Sequence, residues 1–252
     1  MKVLDLFSGI GGFALGLEAA GFETAAFCEI DPYAQKVLKK NWPGVPIYDD
    51  VRRITADRLV SDGIGVDVIT GGFPCQDIST AGRQTGIDGE RSGLWSECSR
   101  LLRDIRPRYA IFENVTNLLT GDGGDWFKRV LWDISSVGYD AEWHCISASA
   151  VGAHHHRDRV WIVAYPQCCR QSGQGLHGGR SNKAKNQDRE ASWIINSCQG
   201  NSSIWDAEPK VGRVANGVPA RSHRLTCLGN AVVPQIPELI GRQIMEAERG
   251  GA

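Results

Sequence analysis

From residue 1 to about residue 165, short apolar runs alternate with stretches of helical periodicity. KVLDLF (2–7), TAAFCE (24–29), VDVIT (66–70), YAIFE (109–113) and RVWIVAY (159–165) read as strands. Apolar residues fill successive positions in them, as burial on both faces of a sheet requires. Between these runs, apolar residues recur at helical spacing. Phe13, Leu17 and Ala20 form one set, and Ala34, Val37 and Leu38 behind Pro32 form a second. A third, Leu94, Cys98, Leu101, Leu102 and Ile105, is closed by Pro107. Strands alternating with helices predict an α/β fold, a mainly parallel sheet with helices on both faces. After Tyr165 the periodicity stops, and residues 166–225 are rich in Gly, Ser, Gln, Asn and basic side chains. It returns near the end, where Pro237 suits a first helical turn and Ile236, Leu239, Ile240 and Ile244 share a face. The expected organisation is a main domain over 1–165, a small irregular region over 166–225 and a segment over 226–252 that returns to the main domain. The closing helix is expected over about 234–246.

Composition narrows this picture. The 252 residues are 42% hydrophobic, ample for a packed core. No apolar run approaches the roughly 18 residues of a membrane span. MKVLDLFSGIGG reads as a strand entering a glycine turn rather than a secretion leader, so a cytoplasmic protein is expected. The eight cysteines show no regular framework and are expected as free thiols. Net charge is only −1, yet residues 166–225 carry nine Lys/Arg against four Asp/Glu. Such a segment suits contact with nucleic acid, although a solvated loop has the same composition.

Three stretches carry candidate chemistry. In DLFSGIGGFALGLEAAGF (5–22), Gly9, Gly11 and Gly12 allow a tight turn and close approach of a ligand at a helix start. Glu29 ends the next strand at about the 20-residue interval where nucleotide-binding α/β folds place a ribose carboxylate. The glycine spacing departs from GxGxxG. Asp31-Pro32-Tyr33 resembles the Asp-Pro-Pro-Tyr signature of amino-group methylases but lacks the second proline, and is read as Pro32 starting a helix. The second stretch, TGGFPCQDISTAG (70–82), puts Cys75 on a glycine- and proline-rich loop after a strand, where a thiol is better placed to react than to pack. The third is Glu113-Asn114-Val115 at the end of the following strand.

Pro74-Cys75-Gln76, Glu113-Asn114-Val115, the opening DLFSGIGG and the closing GNAVVPQ (229–235) occur in the order found in cytosine-5 DNA methyltransferases of the bacterial and phage type, and the chain resembles that family. The resemblance implies an S-adenosylmethionine-dependent enzyme with a Rossmann-like mixed sheet and a short target-recognition region over 166–225. It would act as a monomer on double-stranded DNA, within restriction–modification. Cytosine carbon 5 is too weak a nucleophile to take a methyl group unaided, and thiolate addition at carbon 6 makes it enamine-like. By resemblance Cys75 is that nucleophile and Glu113 the group at N3, which needs a raised pKa or a shared proton. Arg157 and Arg159 in GAHHHRDRVWIVA (152–164) stand in the place of the arginines of the family's Gln-x-Arg-x-Arg, with His155 where glutamine is common. They would hold Glu113, the cytosine O2 or a phosphate. Three consecutive histidines alternate faces on an extended segment, so no metal site is expected.

The resemblance also places Phe7, Ser8, Gly9, Ile10 and Gly11 around the methionine part of the cofactor, Glu29 on the ribose and Ile30 on the adenine. Asp50, beside Val51, would receive the adenine amino group. Phe73, Pro74, Leu94, Asn230 and Val232 would close the pocket. Ile30, Leu94 and Val232 are equally what a plain core needs, and Glu29 or Asp50 equally a helix cap. In the loop after Cys75, Arg83 and Arg91 are candidates for phosphates, and Gln76 or Ser79 for the space left by an extruded cytosine. Two rival readings stay open: a transfer-RNA cytosine-5 methyltransferase, although its Cys-Phe-Thr motif is not found, and an inactive cofactor- or DNA-binding remnant.

Overall fold

A computed structural model of the chain describes residues 1–74, 94–167 and 221–250. Among these residues seven strands form one sheet: β1 (Lys2–Leu6), β2 (Glu23–Cys28), β3 (Ile47–Tyr48), β4 (Val68–Gly72), β5 (Tyr109–Val115), β6 (Tyr139–Ser147) and β7 (Asp158–Pro166). Their order is β3-β2-β1-β4-β5-β7-β6. The first five neighbours are parallel, and β7 runs antiparallel between β5 and β6. The sheet is therefore mixed and mainly parallel, as expected.

Helices cover both faces because the strands are apolar on both. Leu4, Leu6, Ile69 and Phe112 face one core, completed by α3 (Ala56–Ser61), α4 (Leu94–Ile105) and α6 (Asp125–Ser136) through Leu59, Leu101, Leu102 and Val130. Val3, Val68 and Ile111 face the other, against Phe13 and Leu17 of α1 (Gly12–Ala19) and Ile236 and Ile244 of α8 (Gln235–Gly250). The helix α2 (Pro32–Asn41) begins at Pro32, as expected, with Asp31 as its cap: the carboxylate accepts the Tyr33 amide at 2.8 Å. A one-turn α5 (Asn117–Thr120) and α7 (Arg221–Asn230) complete the set among the described residues. No helix among these residues is long and apolar enough to cross a membrane.

The five strands expected from the sequence form with both ends within two residues of those expected, β4 shifted by two to Val68–Gly72 and β5 reaching Val115. β3, β6, α3, α5, α6 and α7 were not among the elements expected from the sequence. The reason is plain for β6. It is an edge strand whose residues are mostly half-exposed, and Asp140, Glu142 and His144 interrupt the apolar pattern. Its inner edge is nonetheless fixed, since the Tyr165 hydroxyl donates to Glu142 at 2.8 Å.

The closing helix α8 starts at Gln235, within a residue of the expected start, and runs four residues beyond the expected end. It packs on α1 so closely that a Cβ on Gly16 would lie 2.1 Å from the Pro234 carbonyl oxygen. At its far end Glu248 pairs with Arg108 and accepts the Tyr109 hydroxyl at 2.9 Å, tying α8 to the start of β5. Gly16→Ala sets two effects against each other. Helix propensity favours alanine by about 1 kcal/mol, whereas overpacking costs about 1–3 kcal/mol. The clash is with backbone, which gives little, so packing should win. Denaturant unfolding should show a net loss of up to about 2 kcal/mol, and a stabilised variant would contradict this contact.

Candidate active site

The carboxyl ends of β1, β2, β4 and β5 all open on one side of the sheet, the usual ligand edge of an α/β fold. After β1 the backbone turns sharply, with positive φ at Phe7 (52°), Gly9 (54°) and Gly11 (89°). Glu29 holds this turn. Its Oε2 accepts the Gly9 amide at 2.6 Å, and its Oε1 accepts the Asp31 amide at 2.8 Å. One carboxylate thus joins the glycine turn to the start of α2. Because a carboxylate occupies the Gly9 amide, this turn is not arranged as a phosphate cradle. Behind it the Ser8 hydroxyl donates to the Asp5 carbonyl at 2.6 Å, and Thr70 donates to Asp5 Oδ1 at 2.6 Å. Asp5 is fully buried, and its Oδ2 has no hydrogen-bond partner among the described residues.

Glu113 and Arg159 meet at the ends of β5 and β7. Arg159 stands opposite Val115 in the antiparallel register, two residues from the partner of Glu113. The diagonal reach brings Arg159 Nε to 2.9 Å from Glu113 Oε1. Burial raises the Glu113 carboxyl above its ordinary range, although Arg159 and Arg157 pull the other way. Arg157 donates instead to the Gly229 carbonyl at 2.6 Å. Asn114 is buried and donates to the Phe73 carbonyl at 3.3 Å, while its own oxygen accepts the Val115 amide at 2.8 Å. This amide anchors the chain just before Cys75 to the end of β5.

A cavity of about 410 Å³ joins these parts. Of the residues expected to surround a cofactor, Phe7, Ser8, Gly9, Glu29, Ile30, Asp50, Val51, Phe73, Pro74, Leu94, Asn230 and Val232 line it. Ile10 and Gly11 do not: Gly11 turns under α1, where a Cβ would lie 2.5 Å from the Trp42 ring. Asp50 also caps a short turn, accepting the Arg52 amide at 3.0 Å. Glu113, Arg157 and Arg159 line the same cavity. Cys75, Gln76, Ser79, Arg83 and Arg91 lie outside the described residues, as does the region 168–220. His154, His155 and His156 are exposed, and no group of three metal-binding side chains occurs among the described residues. Sequence reasoning missed Asp31, Asp49, Thr226 and Cys227 on the cavity wall, and the anchoring role of Asn114. Asp49 stands beside Asp50 in the sequence, and Asn114 beside Glu113.

The cavity has two chemically different ends. Glu29, Asp31, Asp49 and Asp50 line one end with Ile30, which is 69% exposed. Four carboxylates and an exposed apolar surface suit a ligand with hydroxyls, amines, positive charge and a flat ring. They fit an adenosyl sulfonium compound and oppose a nucleotide phosphate. At the other end a buried carboxyl, its proton affinity raised by burial, faces a guanidinium, an arrangement for neutralising charge on a polar ring.

Comparison with known proteins agrees. The model of the C-5 cytosine-specific DNA methylase family matches residues 1–213. Type II methyltransferase M2.BsuMI of Bacillus subtilis is 41% identical over 168 residues, 65% of this chain and 42% of that protein. This chain therefore spans about two fifths of that relative's length. A crystal structure described as a DNA modification methyltransferase encoded within an E. coli prophage superposes with a TM-score of 0.59 at 27% identity, over 68% of this chain and 48% of that one. The methyltransferase EhMeth of Entamoeba histolytica shares the fold across 98% of this chain and 97% of its own, with a TM-score of 0.60 at 15% identity.

Asp5 offers a test of the buried network beneath the glycine turn. Burial pushes its carboxyl up to about 7, with the Glu29 charge adding to this and bonds from Thr70 and Ser8 opposing it. Between the unfolded value of about 3.9 and the folded one, the native state keeps a proton that the unfolded chain has lost. Stability from this group is full below the lower value and falls as pH rises through the upper one. Between pH 5 and pH 8 the wild type should lose roughly 2–3 kcal/mol relative to Asp5→Asn. Parallel stability curves for the two proteins would contradict the burial argument.

Proposed function

Because the chain belongs to the C-5 cytosine-specific DNA methylase family, we propose that it transfers a methyl group from S-adenosylmethionine to carbon 5 of cytosine in duplex DNA. The observation that carries this reading is the placement of the Glu113–Arg159 pair and Pro74 in the same cavity as the carboxylate-flanked glycine turn. Cys75 follows Pro74 in the chain. When bound, the cofactor supplies an electrophilic methyl group.

In this reading the chain's own residues act as follows. Glu29 and Asp50 accept hydrogen bonds from hydroxyl and amino groups, and Ile30 covers an aromatic face. The Cys75 thiolate adds to carbon 6 of an extruded cytosine. Negative charge then grows on the ring, and Glu113 meets it at N3 with a proton that its burial helps it to hold. Arg159 keeps the carboxyl oriented through a charge-assisted contact from its Nε. After methylation, loss of the carbon 5 proton to solvent and return of the N3 proton to Glu113 let the ring expel the thiolate and restore aromaticity. Residues 166–225 form the target-recognition region, acting from the cytoplasm on DNA, and the closing segment belongs with the catalytic domain.

Duplex DNA carrying 5-fluorocytosine tests this directly, because fluorine blocks the final proton loss. With S-adenosylmethionine present, a covalent adduct should survive denaturation, and Cys75→Ser should form none while still binding the cofactor. Trapping on transfer RNA alone would favour the RNA methyltransferase, and trapping on neither would indicate an inactive remnant. Glu113→Gln should retain cofactor binding and lose about 10²- to 10⁴-fold in turnover, the usual span for a general acid. Unchanged turnover would remove Glu113 from the mechanism.

A further inference from the structure

We propose that Arg157 is a positioning residue that ties the base-binding end of the cavity to the segment closing its cofactor end. This rests on the methyltransferase reading and divides the labour between two arginines that the sequence leaves equivalent. Arg159 grips Glu113. Arg157, two residues earlier, reaches a carbonyl 72 positions away, Gly229 in the last turn of α7. The final carbonyls of a helix lack partners within it, and the helix end carries partial negative charge. A guanidinium there satisfies one carbonyl and complements that charge.

The strut has a fixed base. The Arg157 carbonyl accepts the Ala148 amide at 3.1 Å, so its backbone is held to the turn that follows β6. Its head is set among charges. Burial and Arg159 lower the proton affinity of Arg157 while Glu113 raises it, so the three groups share one electrostatic neighbourhood. At the other end, Gly229 leads directly into Asn230, Ala231 and Val232, which line the cavity. The Val232 carbonyl in turn lies against α1, where a Cβ on Gly12 would be 2.6 Å from it. Arg157 therefore links the wall that holds Glu113 to the backbone that encloses the cofactor beside the glycine turn. Losing the link should free the Gly229–Val232 segment, and the first consequence is weaker cofactor binding, before any DNA arrives.

The test measures binding of S-adenosylmethionine to the full chain by calorimetry without DNA, for wild type, Arg157→Ala and Arg157→Lys. Affinity for a cytosine-containing duplex is measured separately, without cofactor. Arg157→Ala should weaken cofactor binding about tenfold, a typical coupling between sites. Duplex affinity should stay within about twofold, and lysine, which reaches the carbonyl with one donor, should recover part of the loss. Unchanged cofactor binding with weakened duplex binding would overturn the proposal, because Arg157 would then touch DNA. A lowered melting temperature with both affinities unchanged would also overturn it, leaving only a structural bond. Failure of the wild type to bind S-adenosylmethionine would sink the methyltransferase reading itself, an outcome distinct from both.

Discussion

A carboxylate buried at the end of a parallel strand needs a cation, and the antiparallel insertion of β7 beside β5 delivers one. An unpaired charge at the Glu113 position would cost several kcal/mol in lost solvation. Arg159 removes much of that cost without abolishing it, since the Glu113 carboxyl still holds its proton more tightly than an exposed one. The balance matters for chemistry. Complete compensation would leave a permanently ionised glutamate, and none would leave a neutral acid with no fixed orientation. Placing β7 between β5 and β6 also turns the chain back toward the ligand edge, so the start of β7 and the residue before it bring Arg159 and Arg157 to the same rim.

The rest of the site is built around a second carboxylate. Glu29 spends both oxygens on backbone amides and so fixes the curvature of the turn after β1. That turn sits on α1, and α1 sits on α8, with Gly12 and Gly16 removing the side chains that would keep the closing segment away. The cofactor end of the cavity is thus assembled from residues near both ends of the described chain. The pairing of Glu248 with Arg108 and Tyr109 extends this clamp along the opposite edge of the sheet.

The central strands were legible in the sequence because burial on both faces leaves continuous apolar runs. The edge strand β6 was not, since water on one side permits Asp140, Glu142 and His144. The helix α6 carried a readable signal in Phe127, Val130 and Ile134, at spacings of three and four. Glu29 was legible because the ligand edge of a parallel sheet follows from chain direction, whereas Phe73 and Glu113 were expected only through the family resemblance. The different partners of Arg157 and Arg159 were not. Two residues apart on an extended segment, they share a face, and only tertiary placement of Gly229 separates their roles. The packing of Trp42 against Gly11 was not legible either, because nothing local reveals it.

The proposed reaction turns on the proton affinity of Glu113, which a carbon-13 NMR titration of its carboxyl group measures directly. The balance between burial and Arg159 predicts a midpoint above the ordinary glutamate value of about 4.3. A midpoint at or below that value would mean that the ion pair overwhelms burial and that the carboxyl has no proton to offer the ring.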